Sequence, residues 1–355
     1  MNNKKSHSLY VVIAIIFSLL YIFIAVKPLG TEYQFVPEWK IDVTNPSVTS
    51  DISMNDKTFL SFKLGQKMGY FTPEGKVINF VTFPQKASIS DTYYTYYNIN
   101  NSKTKLFKPD GTECGVLDFS GFPMIDEERV FVFLPGGSSF NMCNTDGSLK
   151  WEFSGTSPIT AFDSSDNGIT CGFADGYICL FDNYGNLIHR FAPGGSSLPV
   201  VSGIAVSDSG NYVAAICGQE KQRFVLSKTN ETQPKIIFHE FLSSSKTRQN
   251  LVKFSSDDSV VFYNCDEYLG IVDVKTSRKA HLKIDGQAIA IKPAGNCAYV
   301  LTKQNRKYTV YCIEKFATLI GSFSFEADTS FIQTKGNKLY IGRDSAISCI
   351  KLEKK

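Results

Sequence analysis

The sequence lacks an excess of charge of either sign. Its 355 residues carry 37 Lys and Arg against 34 Asp and Glu, a formal net charge of +3. Dedicated nucleic-acid binders usually carry a basic excess, so this balance argues against that class and we expect no nucleic-acid partner. The chain is not poor in aromatics: it has 28 Phe and 17 Tyr, and its hydrophobic share is 43%, which argues against a disordered chain.

Histidine and tryptophan are scarce, with four and two copies. His7 lies in the N-terminal flank, and His189, His239 and His281 fall in separate outer strands of the repeat described below. Side chains placed so far apart do not converge on a metal ion or a Ser-His-Asp arrangement. We therefore predict no catalytic residues, no metal site and no cofactor.

The nine cysteines include no C-x-x-C pair, which excludes zinc-ribbon and thioredoxin-like sites. Most lie in apolar runs, so they are predicted to be small buried hydrophobes. Cys171 and Cys179 flank a tight turn at Asp175-Gly176 that should set Cys179 opposite Gly172, so no bridge between them is expected. Free thiols fit poorly with an oxidising compartment, and this is the main argument against export.

Residues 9–26 form an apolar run, LYVVIAIIFSLLYIFIAV. Eighteen residues make about 27 Å of helix, enough to cross a bilayer core. Because no A-x-A cleavage site follows, we predict an uncleaved transmembrane signal anchor. A cleaved signal peptide and a buried core helix are the alternatives.

Flanking charge sets the predicted orientation of this anchor. Lys4 and Lys5 precede the run, whereas Lys27 alone follows it closely. Residues 1–8 are therefore expected to stay in the cytoplasm, residues 27–37 to form a linker, and residues 38–355 to be periplasmic or extracellular.

Two kinds of turn alternate along the rest of the chain. The first is a glycine turn between two strands, at Gly75, Gly111, Gly147 and Gly185. The second is a polar turn between apolar strands, repeated eight times at intervals of about 40 residues. Its positions lie near Asp56, Asp91, Glu127, Asn167, Gly210, Asp258, Gly295 and Gly336.

Each period therefore holds four short antiparallel strands, a to d. Four strands per period of about 40 residues is typical of a β-propeller blade, so we predict an all-β, eight-bladed propeller. Seven blades is the alternative if the weak copy at 88–119 is irregular. The last copy supplies only strands a, b and c, and EWKIDV (38–43) is the expected fourth strand that closes the ring and covers an exposed sheet edge.

These turns resemble those of WD40-like and quinoprotein-like β-propellers. The segment NMCNTDGSLKWEF (141–153) is most similar to a quinoprotein-type blade motif, and the resemblance covers roughly residues 38–352. The Gly-His and Trp-Asp dipeptides of true WD40 repeats are absent. The resemblance implies a fold that serves as an interaction scaffold or as a quinoprotein-like oxidoreductase.

Charge is predicted to sort between the two faces of the ring. The a–b turns carry mostly acidic residues, and the b–c turns and d–a loops carry basic ones. The alternative is ordinary turn chemistry, which favours Asp and Asn, together with solvated lysines. The candidate binding face consists of Lys221, Arg223, Lys246, Arg248, Arg306, Lys307 and Arg343.

Two functions from different classes follow. The first is a non-catalytic scaffold, tethered through residues 9–26 at the outer side of a membrane, with envelope assembly as one setting. Its partner would be a protein with an acidic surface or another anionic ligand. The alternative is a quinoprotein-like oxidoreductase or another propeller enzyme, which a visible absorption spectrum would distinguish from the scaffold.

Overall fold

The computed structural model describes residues 10, 12–21, 33–49, 58–98, 102–243, 248–266 and 268–354. The chain divides into two compact units, Met1–Val36 with Leu352–Lys355, and Pro37–Lys351. The described part of the first unit contains helical residues 12–21, the first residues of one strand (33–36) and the last residues of another (352–354). Among the described residues, no helix is both long and apolar enough to cross a membrane. The predicted flank 1–8, residues 9, 11 and 22–26 of the predicted anchor, and linker residues 27–32 lie outside the described residues.

The described residues from Tyr33 onward form eight β-sheets. Strand β1 is Tyr33–Asp42. Blade 1 has β2 (Leu60–Leu64), β3 (Lys67–Phe71) and β4 (Val77–Thr82); blade 2 has β5 (Lys86–Ile89), β6 (Tyr94–Tyr97), β7 (Thr104–Phe107) and β8 (Glu113–Leu117). Blade 3 has β9 (Phe122–Asp126), β10 (Arg129–Phe133), β11 (Ser139–Cys143) and β12 (Leu149–Ser154); blade 4 has β13 (Ile159–Ser165), β14 (Gly168–Phe173), β15 (Ile178–Phe181) and β16 (Leu187–Phe191).

The second half of the ring continues the pattern. Blade 5 has β17 (Val201–Val206), β18 (Tyr212–Cys217), β19 (Arg223–Lys228) and β20 (Lys235–Phe241); blade 6 has β21 (Val252–Phe254), β22 (Val260–Asn264), β23 (Tyr268–Asp273) and β24 (Lys279–Lys283). Blade 7 has β25 (Gln287–Ala294), β26 (Cys297–Gln304), β27 (Lys307–Glu314) and β28 (Thr318–Glu326). Blade 8 has β29 (Ser330–Lys335), β30 (Lys338–Arg343) and β31 (Ala346–Lys354).

Eight sheets confirm the eight-bladed propeller, and the seven-bladed alternative is wrong. Six sheets have all four strands in the order a-b-c-d from a single stretch of chain. Blade 1 shows strands b, c and d, because its expected strand a falls outside the described residues. The weak copy in blade 2 is a real but irregular blade, with one residue pair, Tyr94 and Phe107, joining β6 to β7.

The eighth sheet joins the two ends of the ring. Its order is β1-β31-β30-β29, so β1 supplies strand d. The Val43 amide donates to the Ser345 carbonyl at 2.6 Å, and the Lys338 ammonium lies 2.6 Å from the Glu38 carboxylate. These contacts show that β1 runs from the a–b turns toward the b–c turns. It begins at Tyr33, five residues earlier than the EWKIDV segment, so the end of the expected linker is strand.

The hydrophobic core lies between neighbouring blades. Strands b and c are almost wholly buried, as in β14 and β15, because blades cover both faces of each sheet. Two tryptophans fill equivalent sites on strand d. Trp39 packs against Phe71 of blade 1, and Trp151 packs against Phe181 of blade 4. Each aromatic pair links a blade to the next one in the ring.

The hairpin between β14 and β15 differs from the predicted register. Cys179 lies opposite Cys171, whereas the sequence predicted that it would lie opposite Gly172. The Phe173 amide donates to the Tyr177 carbonyl, so the loop holds three residues and ends at Gly176, with φ +85. The prediction assumed a two-residue turn, and the extra residue shifts the pairing by one.

Candidate functional site

The predicted binding face is the set of strand ends that carry b–c turns and d–a loops, here called the b–c face. Lys221 and Arg223 lie at the b–c loop of blade 5, Arg306 and Lys307 at the b–c turn of blade 7, and Arg343 at the end of β30. Arg248 lies in the d–a loop before blade 6. Lys246 lies outside the described residues. Strand direction alone brings the other six to one face.

Two of these arginines, Arg223 and Arg248, already interact with other groups of the protein. The Arg223 guanidinium donates to the Pro193 carbonyl at 3.1 Å. It also packs closely against Gly195, since a Cβ added to that glycine would lie only 2.6 Å from Nη1 of Arg223. Arg248 pairs with Asp266 at 2.5 Å, with side chains only 26% and 15% exposed. Both groups are therefore engaged inside the protein, and a partner would have to displace those contacts.

The remaining cations of the b–c face are available to a partner. Lys221, Lys307 and Arg343 are exposed. Arg306 pairs with Asp328 at 3.2 Å, but both side chains are about 70% exposed, at 69% and 71%. Exposed pairs of this kind contribute at most about 1 kcal/mol, so Arg306 also exchanges partners readily.

A cavity of about 1280 Å³ opens on the opposite face, among the a–b and c–d turns. Seven of the eight blades line it, which places it on the ring axis, and we call it the axial chamber. Its charged lining includes residues from a–b turns and from the inner strands a. These are Asp91, Asp126, Glu127, Arg129, Asp166, Lys253 and Lys292.

Asp91 ties blade 2 to two other blades. Its carboxylate accepts hydrogen bonds from the Ser61 amide at 2.8 Å and hydroxyl at 2.7 Å. The Gln333 amide of blade 8 donates to both oxygens, at 3.0 and 3.1 Å. Three donors from two other blades thus satisfy this carboxylate.

Asp163 and Lys253 form a similar connection among blades 4, 5 and 6. The Lys253 ammonium of blade 6 lies 3.3 Å from the Asp163 carboxylate of blade 4. The backbone amide of Val206 in blade 5 donates a hydrogen bond to the same carboxylate at 2.9 Å. Burial raises the pKa of Asp163 to about 6, although Lys253 opposes that shift. Asp163 in turn raises the pKa of Lys253. The pair links three consecutive blades.

Arg129 forms ion pairs with carboxylates from blades 3 and 4. Its guanidinium lies 3.2 Å from Asp126 and 2.8 Å from Asp166, and its Nε donates to the Ser164 hydroxyl at 3.0 Å. The arginine side chain is only 12% exposed. Most of the charged side chains described so far in the chamber therefore form ion pairs or hydrogen bonds with other residues of the protein.

Lys292 is different, because none of the described side chains lies within ion-pair distance of its ammonium. Burial lowers the pKa of Lys292, although Asp91, Asp126 and Glu127 lie near enough to oppose the shift. Across the described residues, no group of three or more His, Cys, Asp or Glu side chains is arranged to hold a metal ion.

A family model described as "beta-propeller protein" matches residues 1–355. The chain belongs to this family. A protein of Treponema pallidum (strain Nichols), described as an "Uncharacterized protein", is 26% identical over 359 residues, which cover 99% of this chain and 95% of the relative.

Solved structures support the same fold for this beta-propeller protein. BamB from Moraxella catarrhalis is similar with a TM-score of 0.62 and 14% identity, covering 90% of this chain and 100% of BamB. The computationally designed Ika8 protein is similar with a TM-score of 0.60 and 12% identity, covering 87% and 99%. The resemblance to WD40-like and quinoprotein-like propellers is confirmed at the level of fold.

The sequence did not indicate one buried polar cluster of this beta-propeller protein. Glu240 on β20 is 7% exposed and accepts hydrogen bonds from Lys279 at 2.7 Å, His281 at 3.0 Å and the Tyr263 hydroxyl. Burial opposes its ionisation, but these hydrogen bonds together lower the pKa of Glu240. The only signal was a carboxylate inside the apolar strand KIIFHEF. His189, His239 and His281 lie in the d strands of blades 4, 5 and 6, as expected.

Proposed function

We propose that this beta-propeller protein is a non-catalytic interaction scaffold, tethered to a membrane, whose b–c face binds a partner with an acidic surface or an anionic group. The observation that carries the proposal is the placement of Lys221, Lys307 and Arg343. They come from three blades, they are exposed, and strand direction puts them on one face. Like charges brought together repel, so an anionic partner is the natural complement.

The direction of β1 supports this choice of face. Glu38 lies beside Lys338 near an a–b turn, and Val43 lies beside Ser345 at a b–c turn. The chain therefore enters the propeller from the a–b side. A tether joined there leaves the b–c face open to a partner.

The tether itself is proposed from the apolar run at 9–26 and from Lys4 and Lys5 before it. With this orientation the propeller lies outside the cytoplasm. Protease added to intact cells or spheroplasts should then degrade it, since Lys355 would be outside. Protection until lysis would reverse the orientation without affecting the binding face.

The binding face is tested by reversing its exposed charges. The variant Lys221→Glu, Lys307→Glu, Arg343→Glu should lose the partner captured by cross-linking in native membranes, and capture by the wild type should weaken as salt rises. The matched control reverses three exposed lysines on the opposite face. It is Lys108→Glu, Lys150→Glu, Lys335→Glu.

Both triple variants should melt close to the wild type, because all six side chains are exposed. Capture that survives the first triple, or that falls equally in the control, would show that the b–c face is not the binding site. We further propose envelope assembly as the setting, supported only by the shared fold with scaffold propellers. A visible absorption band in the purified protein would instead favour a quinoprotein-like enzyme.

A further inference from the structure

Lys292 is a cation of the axial chamber that has no counter-ion among the described residues. It lies on β25, the inner strand of blade 7, and it lines the chamber. Burial lowers the pKa of Lys292, and no hydrogen bond from another described side chain opposes this shift. An ammonium that is partly removed from water and left unpaired costs stability. A negatively charged group beside Lys292 would remove this cost.

Lys253 adds a second cation to this part of the chamber. It lies on β21, the inner strand of blade 6, which is the blade before that of Lys292. The two ammonium groups are near enough that Lys253 contributes to the lowering of the pKa of Lys292. Asp163 pairs with Lys253 at 3.3 Å, but the lysine side chain is still 44% exposed and lines the chamber. An anion in the chamber beside blades 6 and 7 would therefore be attracted by both cations.

Three carboxylates act on Lys292 from a distance, but each of them has donors of its own. Asp91, Asp126 and Glu127 oppose the lowering of its pKa, and none of them forms an ion pair with it. Asp91 accepts hydrogen bonds from two other blades. Arg129 lies 3.2 Å from Asp126 and 3.6 Å from Glu127. Because these carboxylates still repel negative charge, the site favours a ligand with a single anionic group over a polyanion.

We propose that the axial chamber binds a small carboxylic acid, whose carboxylate lies against the ammonium groups of Lys292 and Lys253. A carboxylate supplies one negative charge and two acceptor oxygens, which suit two ammonium donors. This inference goes beyond the proposed scaffold and does not depend on it. The chamber lies on the face opposite to the b–c face, so both sites can be occupied in the same molecule.

The chamber has the size and access that such a ligand needs. Its volume of about 1280 Å³ exceeds the roughly 300–1,000 Å³ of most small-molecule sites, so a small acid would keep water around it. The chamber opens among the a–b and c–d turns, and a ligand can enter without passing between blades. Ile125 and Ile291, from strands a of blades 3 and 7, also line it and offer apolar contact to the uncharged part of the ligand.

Binding is tested with para-fluorobenzoate as the probe and para-fluorobenzamide as its neutral counterpart. The full chain in detergent is titrated with each compound, and the width of the fluorine NMR signal is compared with that in micelles alone. The benzoate signal should broaden in a saturable way and the amide signal should not, because only the benzoate carries a negative charge.

Lys292→Met should weaken the binding of para-fluorobenzoate by about tenfold or more, since it removes a charged hydrogen-bond donor. Methionine keeps most of the length of the lysine stem, and loss of an unpaired charge should leave the melting temperature unchanged or slightly higher. The matched control is Lys150→Met, which removes an exposed lysine that also lines the chamber. This control should bind the probe as the wild type does.

Chemical modification locates the probe at Lys292 by a second readout. Because Lys292 precedes Pro293, trypsin leaves it inside the peptide 284–303 whether or not it is modified. The folded protein is treated with N-acetoxysuccinimide and digested, and the acetylated fraction of this lysine is measured by mass spectrometry. Para-fluorobenzoate should slow the acetylation of Lys292 and para-fluorobenzamide should not, whereas acetylation of Lys150 should respond to neither.

Broadening by neither probe, equal broadening by both, or binding that Lys292→Met leaves unchanged would overturn the proposal, as would an acetylation rate that the benzoate does not alter. The b–c face variant Lys221→Glu, Lys307→Glu, Arg343→Glu should still bind the probe. Loss of binding in that variant would place the anion on the b–c face and count against the axial site. Partner capture is measured separately, so the scaffold and the axial site can each fail while the other stands.

Discussion

Closure of the ring by β1 predicts a specific role for Trp39. Its indole nitrogen donates to the Pro73 carbonyl at 3.1 Å, and its ring lies 6.1 Å from that of Phe71 and 5.9 Å from that of Tyr340. It covers Gly75, where a Cβ would come within 2.9 Å of the indole. Trp39 thus joins blade 8 to blade 1.

Trp39→Ala should lower the free energy of unfolding by about 3 kcal/mol. Large-to-small changes at buried aromatic sites cost about 3–5 kcal/mol, and the partial exposure of Trp39 puts it at the lower end. For a domain of this size, the melting temperature should fall by roughly 6 °C. Thermal unfolding followed by circular dichroism measures this directly.

Trp151→Ala is the matched control. Trp151 holds the same position between blades 3 and 4, donates to the Asn183 carbonyl at 3.3 Å and covers Gly185. It lies away from the closure, so it reports the local cost of losing the indole. Were Trp151→Ala to lower the melting temperature while Trp39→Ala did not, β1 would not be docked on the last blade and the closure would be refuted.

Three further outcomes are expected. Burial raises the pKa of Asp163 to about 6, so the folded state keeps a proton that the unfolded state releases above about pH 4. The stability of the wild type relative to Asp163→Asn should therefore fall as pH rises from about 4 to about 6, and urea titrations of both proteins measure this difference. Arg223→Ala should cost about 1–2 kcal/mol by leaving a loop carbonyl unpaired, whereas Lys221→Ala should change the urea midpoint little. In the reduced protein, timed alkylation should label the half-buried Cys114 and Cys297 ahead of the seven buried cysteines, and equal rates would contradict the core.

Much of the fold was predictable because the propeller repeats one local unit. Each a–b turn needs a polar or glycine residue, and Asp258, Gly295 and Gly336 adopt positive φ at the predicted turns. Alternation of two turn types then determines which loops share a face. The placement of Arg306 and Arg343 on the b–c face followed from this rule without any knowledge of contacts.

The contacts themselves were not predictable from the repeat. Asp91 reaches Gln333 across 242 positions of sequence, and Asp163 reaches Lys253 across 90, so no local pattern encodes these pairs. Likewise, the partner of Arg248 comes from a different loop. The hairpin register failed for a smaller reason, since one additional residue in a turn reverses which side chains share a face.

Strand β1 also dictates an order of events during synthesis. It leaves the ribosome first, yet its partner β31 is made last, so the eighth blade waits for the whole chain. Contacts between such distant segments form slowly, because the entropy of closing a long loop is lost before the contacts can stabilise the chain. A nascent or truncated chain therefore carries two unpaired sheet edges, which bind chaperones and proteases and promote aggregation. Completion of the ring acts as a checkpoint for length: a chain that stops before β31 never hides its first strand.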